Sequence, residues 1–176
     1  RPSLLWHRWF GIIAGPWLLI VAASGIFLVF YQELDRAANP DFYRASAAPQ
    51  GRVAAAIAAA EQSAPGSMAA YVRMPAAPGE TLIVNLVDRP GHAGAVGDAG
   101  REVFVDPGPA AITGSRTWGE AGLSRAQLMP MVYRLHYALL AGSLVEWLLG
   151  LLAMAWLVDH VAALPLAMRS ARQWRD

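Results

Sequence analysis

From Trp9 to Tyr31 about 23 residues pass without a single charged side chain. That is enough helix to cross a hydrocarbon layer roughly 30 Å thick. A second apolar stretch runs from about Leu135 to Leu164, broken only by Glu146 and by Asp159 near its end. In lipid, every backbone polar group must be satisfied internally, so both stretches are expected as helices. A cleaved signal peptide has an apolar region of only about 7–15 residues, so the first stretch reads as a retained span. Pro16 is tolerable within it, since neighbouring helices can satisfy the freed carbonyl. Pro165 is expected to kink or end the second span. The whole chain agrees: 56% of its residues are hydrophobic and 15% charged, with a positive mean hydropathy of +0.34.

Arginine placement sets the expected orientation. Arg1 and Arg8 flank the start of the first span, and Arg169, Arg172 and Arg175 follow the second. The positive-inside rule then puts both visible ends in the cytoplasm. The organisation predicted is a first transmembrane helix over 1–35, an outer domain over 36–129, a second transmembrane helix over 130–168 and a basic cytoplasmic segment over 169–176. The outer part would be periplasmic in a bacterial inner-membrane protein. Within it, Gly51–Ser63 is Ala-rich and predicts a helix ended by Pro65-Gly66. Met68–Met74, Thr81–Val87 and Arg101–Val105 alternate as strands do. Arg89–Gly100, with His92, reads as a Gly-rich solvated loop, and Asp106-Pro107-Gly108 stops the third strand. The expected class is a mainly α membrane protein with a small α+β insert.

The formal net charge is only +1 and no long basic run occurs, so nothing points to nucleic acid. Cysteine is absent, which excludes disulfides, Cys-ligated iron–sulfur clusters, thiolate zinc sites and covalently attached haem. No nucleophile-elbow, zincin, dinucleotide-binding or P-loop motif is present.

What remains are histidines at the ends of the apolar stretches. His7 opens the first, His136 opens the second and His160 closes it. Neutral imidazole is a common ligand for iron, and an ionisable side chain near a bilayer is costly enough to read as functional. On an ideal helix Gly11, Ala14, Leu18, Ala22 and Gly25 lie within about 60° of His7, a stripe of mostly small residues that suits helix packing or a flat macrocycle. On a straight helix His136 and His160 stand roughly 36 Å apart, too far to share an iron. Topology pairs His7 with His160 on the cytoplasmic side. His136 is left on the outer side, its second ligand coming from further helices or another subunit. The predicted cofactor is therefore non-covalent haem b, two per protein, with simple helix packing as the competing account.

Three charged residues bear on this. Glu146, mid-span, is either protonated and hydrogen-bonded, paired with a cation, or part of a proton path. Asp159 could orient an imidazole, although neighbouring His160 points away from it. Arg134 could pair with a haem propionate or snorkel to the interface.

The stretch WHRWFGIIAGPWLLIVAASGIFLVFYQELD resembles the opening helix of PepSY-associated transmembrane proteins. EVFVDPGPAAITGSR is similar to that family's strand and D-P-x-T-G turn, departing from it at DPGPAAITG, and MPMVYRLHYALLAGSLVEWLLGLLAMAWLVDHVAALPL resembles its next helix. Some members are inner-membrane haem proteins that reduce ferric siderophores in the periplasm, usually with four transmembrane helices. The resemblance thus implies that this chain corresponds to roughly the first half, with ligand status for His7 and His136 and less directly for His160. It implies electrons moving from a cytoplasmic or quinol-side donor to iron(III) chelates. The alternatives are a non-enzymatic PepSY-type module that binds or regulates a periplasmic protein, and an accessory subunit whose helices only pack.

Overall fold

The structure, a computed structural model, describes residues 2–46, 53–91 and 100–173, with side chains between Leu4 and Leu164. His92 and most of its predicted loop lie outside the described residues. The chain divides into two compact units, Phe30–Met131 and the pair of segments Arg1–Val29 and Val132–Asp176.

The Phe30–Met131 unit holds helices α2 (Tyr31–Ala38), α3 (Pro40–Tyr43) and α4 (Val53–Ser63). Its strands are β1 (Ser67–Arg73), β2 (Leu82–Asp88), β3 (Arg101–Asp106) and β4 (Ala111–Thr117). The strands form an antiparallel sheet in the order β1-β2-β3-β4. Alternation on β2 and β3 aims Leu82, Val84, Leu86, Val103 and Val105 at one face. There they bury against Ala56, Ala60 and Ala64 of α4. The small alanines let α4 lie close to the sheet, and each buried Leu or Val stabilises the unit by about 1.5–3 kcal/mol.

The sheet's opposite face is covered as well. Phe104 packs against Phe42 (tilted) and Tyr43 (edge-on) of α3 with ring centroids 5.0 and 5.1 Å away. Gly114 on β4 makes this possible: a Cβ there would stand 2.3 Å from the Phe42 ring. Beside this aromatic group lies a buried charge cluster. Both terminal nitrogens of Arg116 donate to Asp35 at 2.7 Å, Nε donates to Glu102 at 2.7 Å, and Nη1 donates to the Ala126 carbonyl at 3.0 Å. All three charged side chains are at most 2% exposed. Asp35 also accepts from Asn39 Nδ2 and the Tyr43 hydroxyl. Burial alone would lower the Arg116 pKa, but the bonds to Asp35 and the charge of Glu102 outweigh it and hold the group above its usual range. Burial, reinforced by the bond to Asp35, pushes the Tyr43 phenol well up, and burial does the same to Tyr31.

The fourth strand is an addition to the three predicted. After Asp106 the chain turns through Ala110 at φ 58° and pairs back as β4. Asp106 braces this turn by accepting from the backbone of Gly108 (2.9 Å) and of Ser46 (2.7 Å). Desolvation works against its charge, yet these bonds and the Ser46 hydroxyl leave its pKa below the ordinary value.

The other unit holds α1 (Pro2–Val29), the last turns of α5 (Arg125–Ala138) and α6 (Ser143–Gln173). Leu4–Val29 and Ser143–Leu164 are long and apolar enough to cross a membrane. α1 and α6 pack together. The second span is not the single helix expected over 130–168. α5 stops at Ala138, and Leu139, Leu140 and Gly142 take left-handed conformations at φ 48°, 60° and 84° before α6 begins. A right-handed helix cannot continue through left-handed residues. His136 and His160 therefore sit on different helices, and the straight-helix spacing between them does not apply. Glu146 falls in the first turn of α6, not mid-span, where its charge complements the helix dipole. Helix α6 continues past Pro165, which does not end it.

Candidate cofactor-ligand site

α1 is the ruler for this site. Its packed side carries Ala14 and Ser24, both nearly fully buried, with Val21 and Gly25 half-buried between and beside them. Gly11 and Ala22, expected on the same stripe, are exposed instead.

Near the start of α1, His7 Nδ1 lies 2.8 Å from Asp159 Oδ2 on α6. Asp159 is 3% exposed, whereas the His7 side chain is 53% exposed. Further along α1, His136 Nδ1 lies 2.9 Å from the Val21 carbonyl and 3.3 Å from Ser24 Oγ. The Ser24 hydroxyl donates to the Ile20 and Val21 carbonyls at 2.8 and 2.9 Å, the back-bonding that a serine inside a helix offers. The ring of His136 rests against Gly25, where a Cβ would stand 3.1 Å from Cε1. His160 Nδ1 meets the Trp156 carbonyl at 3.0 Å, and its ring packs edge-on to Trp156 with centroids 4.7 Å apart.

One rule unites the three imidazoles. Each Nδ1 faces an oxygen acceptor, and among the described residues no hydrogen bond reaches Nε2. A carbonyl or carboxylate can only accept, so Nδ1 carries a proton, and in a neutral imidazole the lone pair is then on Nε2. That is the tautomer and anchoring that a metal-binding histidine requires. The histidines do not converge: among the described residues no group of three or more His, Cys, Asp or Glu side chains could hold a metal ion. At 1.5 Å per residue, the His7 and His136 levels on α1 are roughly 24 Å apart. Between them in sequence, Ile13, Ala14 and Trp17 face Leu139, Val145 and Leu149 across an apolar groove of about 610 Å³.

The structure brings Asp159 to His7, not to the adjacent His160. One residue turns an α-helix by about 100°, so the two side chains leave α6 in different directions. Arg134, two positions before His136 on α5, lies about 200° round that helix from it. Glu146 and Gly150 of α6 are exposed. Sequence reading did not find the Val21 carbonyl or Ser24 as anchors for His136. The serine inside AASGIF, one position before Gly25 of His7's small-residue stripe, was the available signal.

Two helices long and apolar enough to cross a membrane, bearing tethered imidazoles and separated in sequence by a small α+β unit, define a membrane protein with a second compact module. The family model described as the PepSY-associated TM region matches residues 4–176, nearly the full length. The chain belongs to that family. A comparison with curated proteins finds no match.

Proposed function

We propose that this protein is a haem-b electron conduit of a bacterial inner membrane that reduces ferric siderophores in the periplasm. The observation that carries the reading is the shared state of His7, His136 and His160, each tethered through Nδ1 and open at Nε2. His7 and His136 would hold iron at two levels of α1, and His160 would complete the His7 site. Completing the His136 site falls to further helices or a second subunit. Arg134 would serve a propionate, as Arg suits carboxylates. Bound haem would supply one-electron transfer. The chain's own work is to hold two such groups at separate depths and keep water from the apolar groove between them. With both termini cytoplasmic, a quinol-class donor would give two electrons and two protons. Each electron would convert one iron(III) chelate to iron(II), which siderophores hold less tightly.

The test is the purified protein in detergent with co-extracted lipid. Sharp Soret and α bands of low-spin bis-imidazole haem are expected, with part of the haem lost in His136→Ala and a different part in His7→Ala. A colourless preparation, or a spectrum untouched by both substitutions, refutes the reading.

A further inference from the structure

Two arginines of the Phe30–Met131 unit, Arg36 on α2 and Arg73 at the end of β1, line one cleft of about 170 Å³. Each carries a donor left unused: both Nε atoms are buried and have no hydrogen-bond partner among the described residues. We propose that this cleft binds the carboxylate of a small organic acid, gripped by the two guanidinium groups. All of its lining residues belong to this one unit, so the inference is independent of the haem reading.

A guanidinium is a planar fork of five N–H donors that matches the two oxygens of a carboxylate. Here each fork is only partly used. Arg36 Nη2 donates to Glu80 Oε2 at 3.2 Å, and Arg73 Nη2 donates to Glu102 Oε1 at 3.0 Å. An ion pair serving stability alone gains from engaging Nε too, because a buried donor left unpaired is costly. Both side chains remain within reach of solvent, at 36% and 40% exposed. The walls are held from behind. The Tyr43 hydroxyl donates to Asp35, and Glu102 also accepts from Arg116 Nε, so both walls are tied to the buried charge cluster. The Arg36 guanidinium lies over the Tyr43 ring, 5.6 Å from its centroid. Donors fixed in this way lose little freedom on binding, which favours affinity.

Size and charge define the ligand. The volume is below the roughly 300–1,000 Å³ of sites for drug-sized molecules, so a short acid fits. Met74, Pro75 and Ile83 supply an apolar side for its aliphatic part. Glu80 is pinned beside Arg36 by the Ala76 backbone N–H at 3.1 Å. Each arginine thus already faces one carboxylate, and the cleft has no surplus of positive charge to hold a dianion such as phosphate. A monoanion that completes the forks is the better match.

The experiment is saturation-transfer NMR on the full chain in detergent, with propionate as the probe and propionamide and phosphate for comparison. Propionate should bind saturably. Propionamide should be roughly tenfold weaker or more, the fold-change of losing a charge-assisted hydrogen bond. Arg36→Lys and Arg73→Lys keep the charge but lose the fork, and each should weaken propionate by a similar factor, at an unchanged urea midpoint. Glu80→Gln removes the carboxylate that shares Arg36 and should tighten propionate. Arg125→Gln breaks an exposed pair with Asp41 outside the cleft and should change nothing. The propionamide comparison and Glu80→Gln carry the test even where a lysine variant fails to fold. Wild type without a saturable propionate signal overturns the proposal. So does propionamide binding as well as propionate, or binding that survives both lysine substitutions together. Phosphate held more tightly than propionate overturns the assignment to a monocarboxylate.

Discussion

Arg116 offers a severe test of how the extramembrane unit is held together. Its guanidinium is fully buried and serves two carboxylates, Asp35 and Glu102, which are themselves 0% and 2% exposed. Exchanging it for methionine would keep much of the volume and the contact with Phe104, whose ring centroid lies 5.3 Å away. Among the described residues it would leave Asn39 and Tyr43 as hydrogen-bond donors to Asp35 and the half-exposed Arg73 as donor to Glu102. Breaking a buried pair by removing one partner typically costs about 3–5 kcal/mol. Domains are stable by only about 5–15 kcal/mol, so Arg116→Met should remove a third or more of the unit's stability. Urea unfolding of the full chain in detergent, followed by proteolysis within 30–131, would measure the loss. A double-mutant cycle with Glu102→Gln should show coupling above about 1 kcal/mol, because the two groups share a network. A loss below about 1 kcal/mol for Arg116→Met would refute the view that this cluster ties α2 to the sheet.

Two further outcomes follow from the same unit. Gly114→Ala should destabilise it by about 1–3 kcal/mol, read by the same urea midpoint, because the new Cβ meets the Phe42 ring at 2.3 Å and the ring must leave Phe104. Tyr31 and Tyr43 have folded pKa values raised above their unfolded value of about 10, so their contribution is intact below that pH and is lost as pH rises. Ultraviolet titration should therefore show these two phenols ionising only with unfolding, and midpoints that fall above about pH 10.

The elements read most directly from sequence were those whose signal is local. α1 follows from an uncharged run, α4 from an alanine-rich window, and β1 to β3 from alternation. β4 escaped because Ala111–Thr117 carries a glycine and several polar residues, the composition of an edge strand or a loop. Its reason for being a strand is distant: Gly114 must admit Phe42, and Arg116 must reach Asp35, 81 residues away. The histidines were legible as residue types near span ends. Their anchors were not, since a backbone carbonyl such as that of Val21 has no signature in side-chain patterning. The pairing of His7 with Asp159 joins positions 152 residues apart, which helical periodicity on either span cannot register.

The break between α5 and α6 shows why the misread segment matters most. Nothing in Leu139-Leu140 announces a left-handed turn, because leucine pays roughly 1–2 kcal/mol there. Only Gly142 at φ 84° fits its conformation without strain. A continuous helix from α5 into α6 would have avoided that cost, so the turn persists because packing elsewhere over-determines it. The packing on view is the seat of His136 between Gly25 and the Val21 carbonyl, and the placing of Leu139 beside Ala14 and Trp17 at the apolar groove. Strain in two leucines thus sets the His136 imidazole one helix away from His160. It also frees α6 to carry Asp159 independently to His7. The same irregularity that hides the site from periodicity is what lets one chain present two separately anchored imidazoles along a single helix.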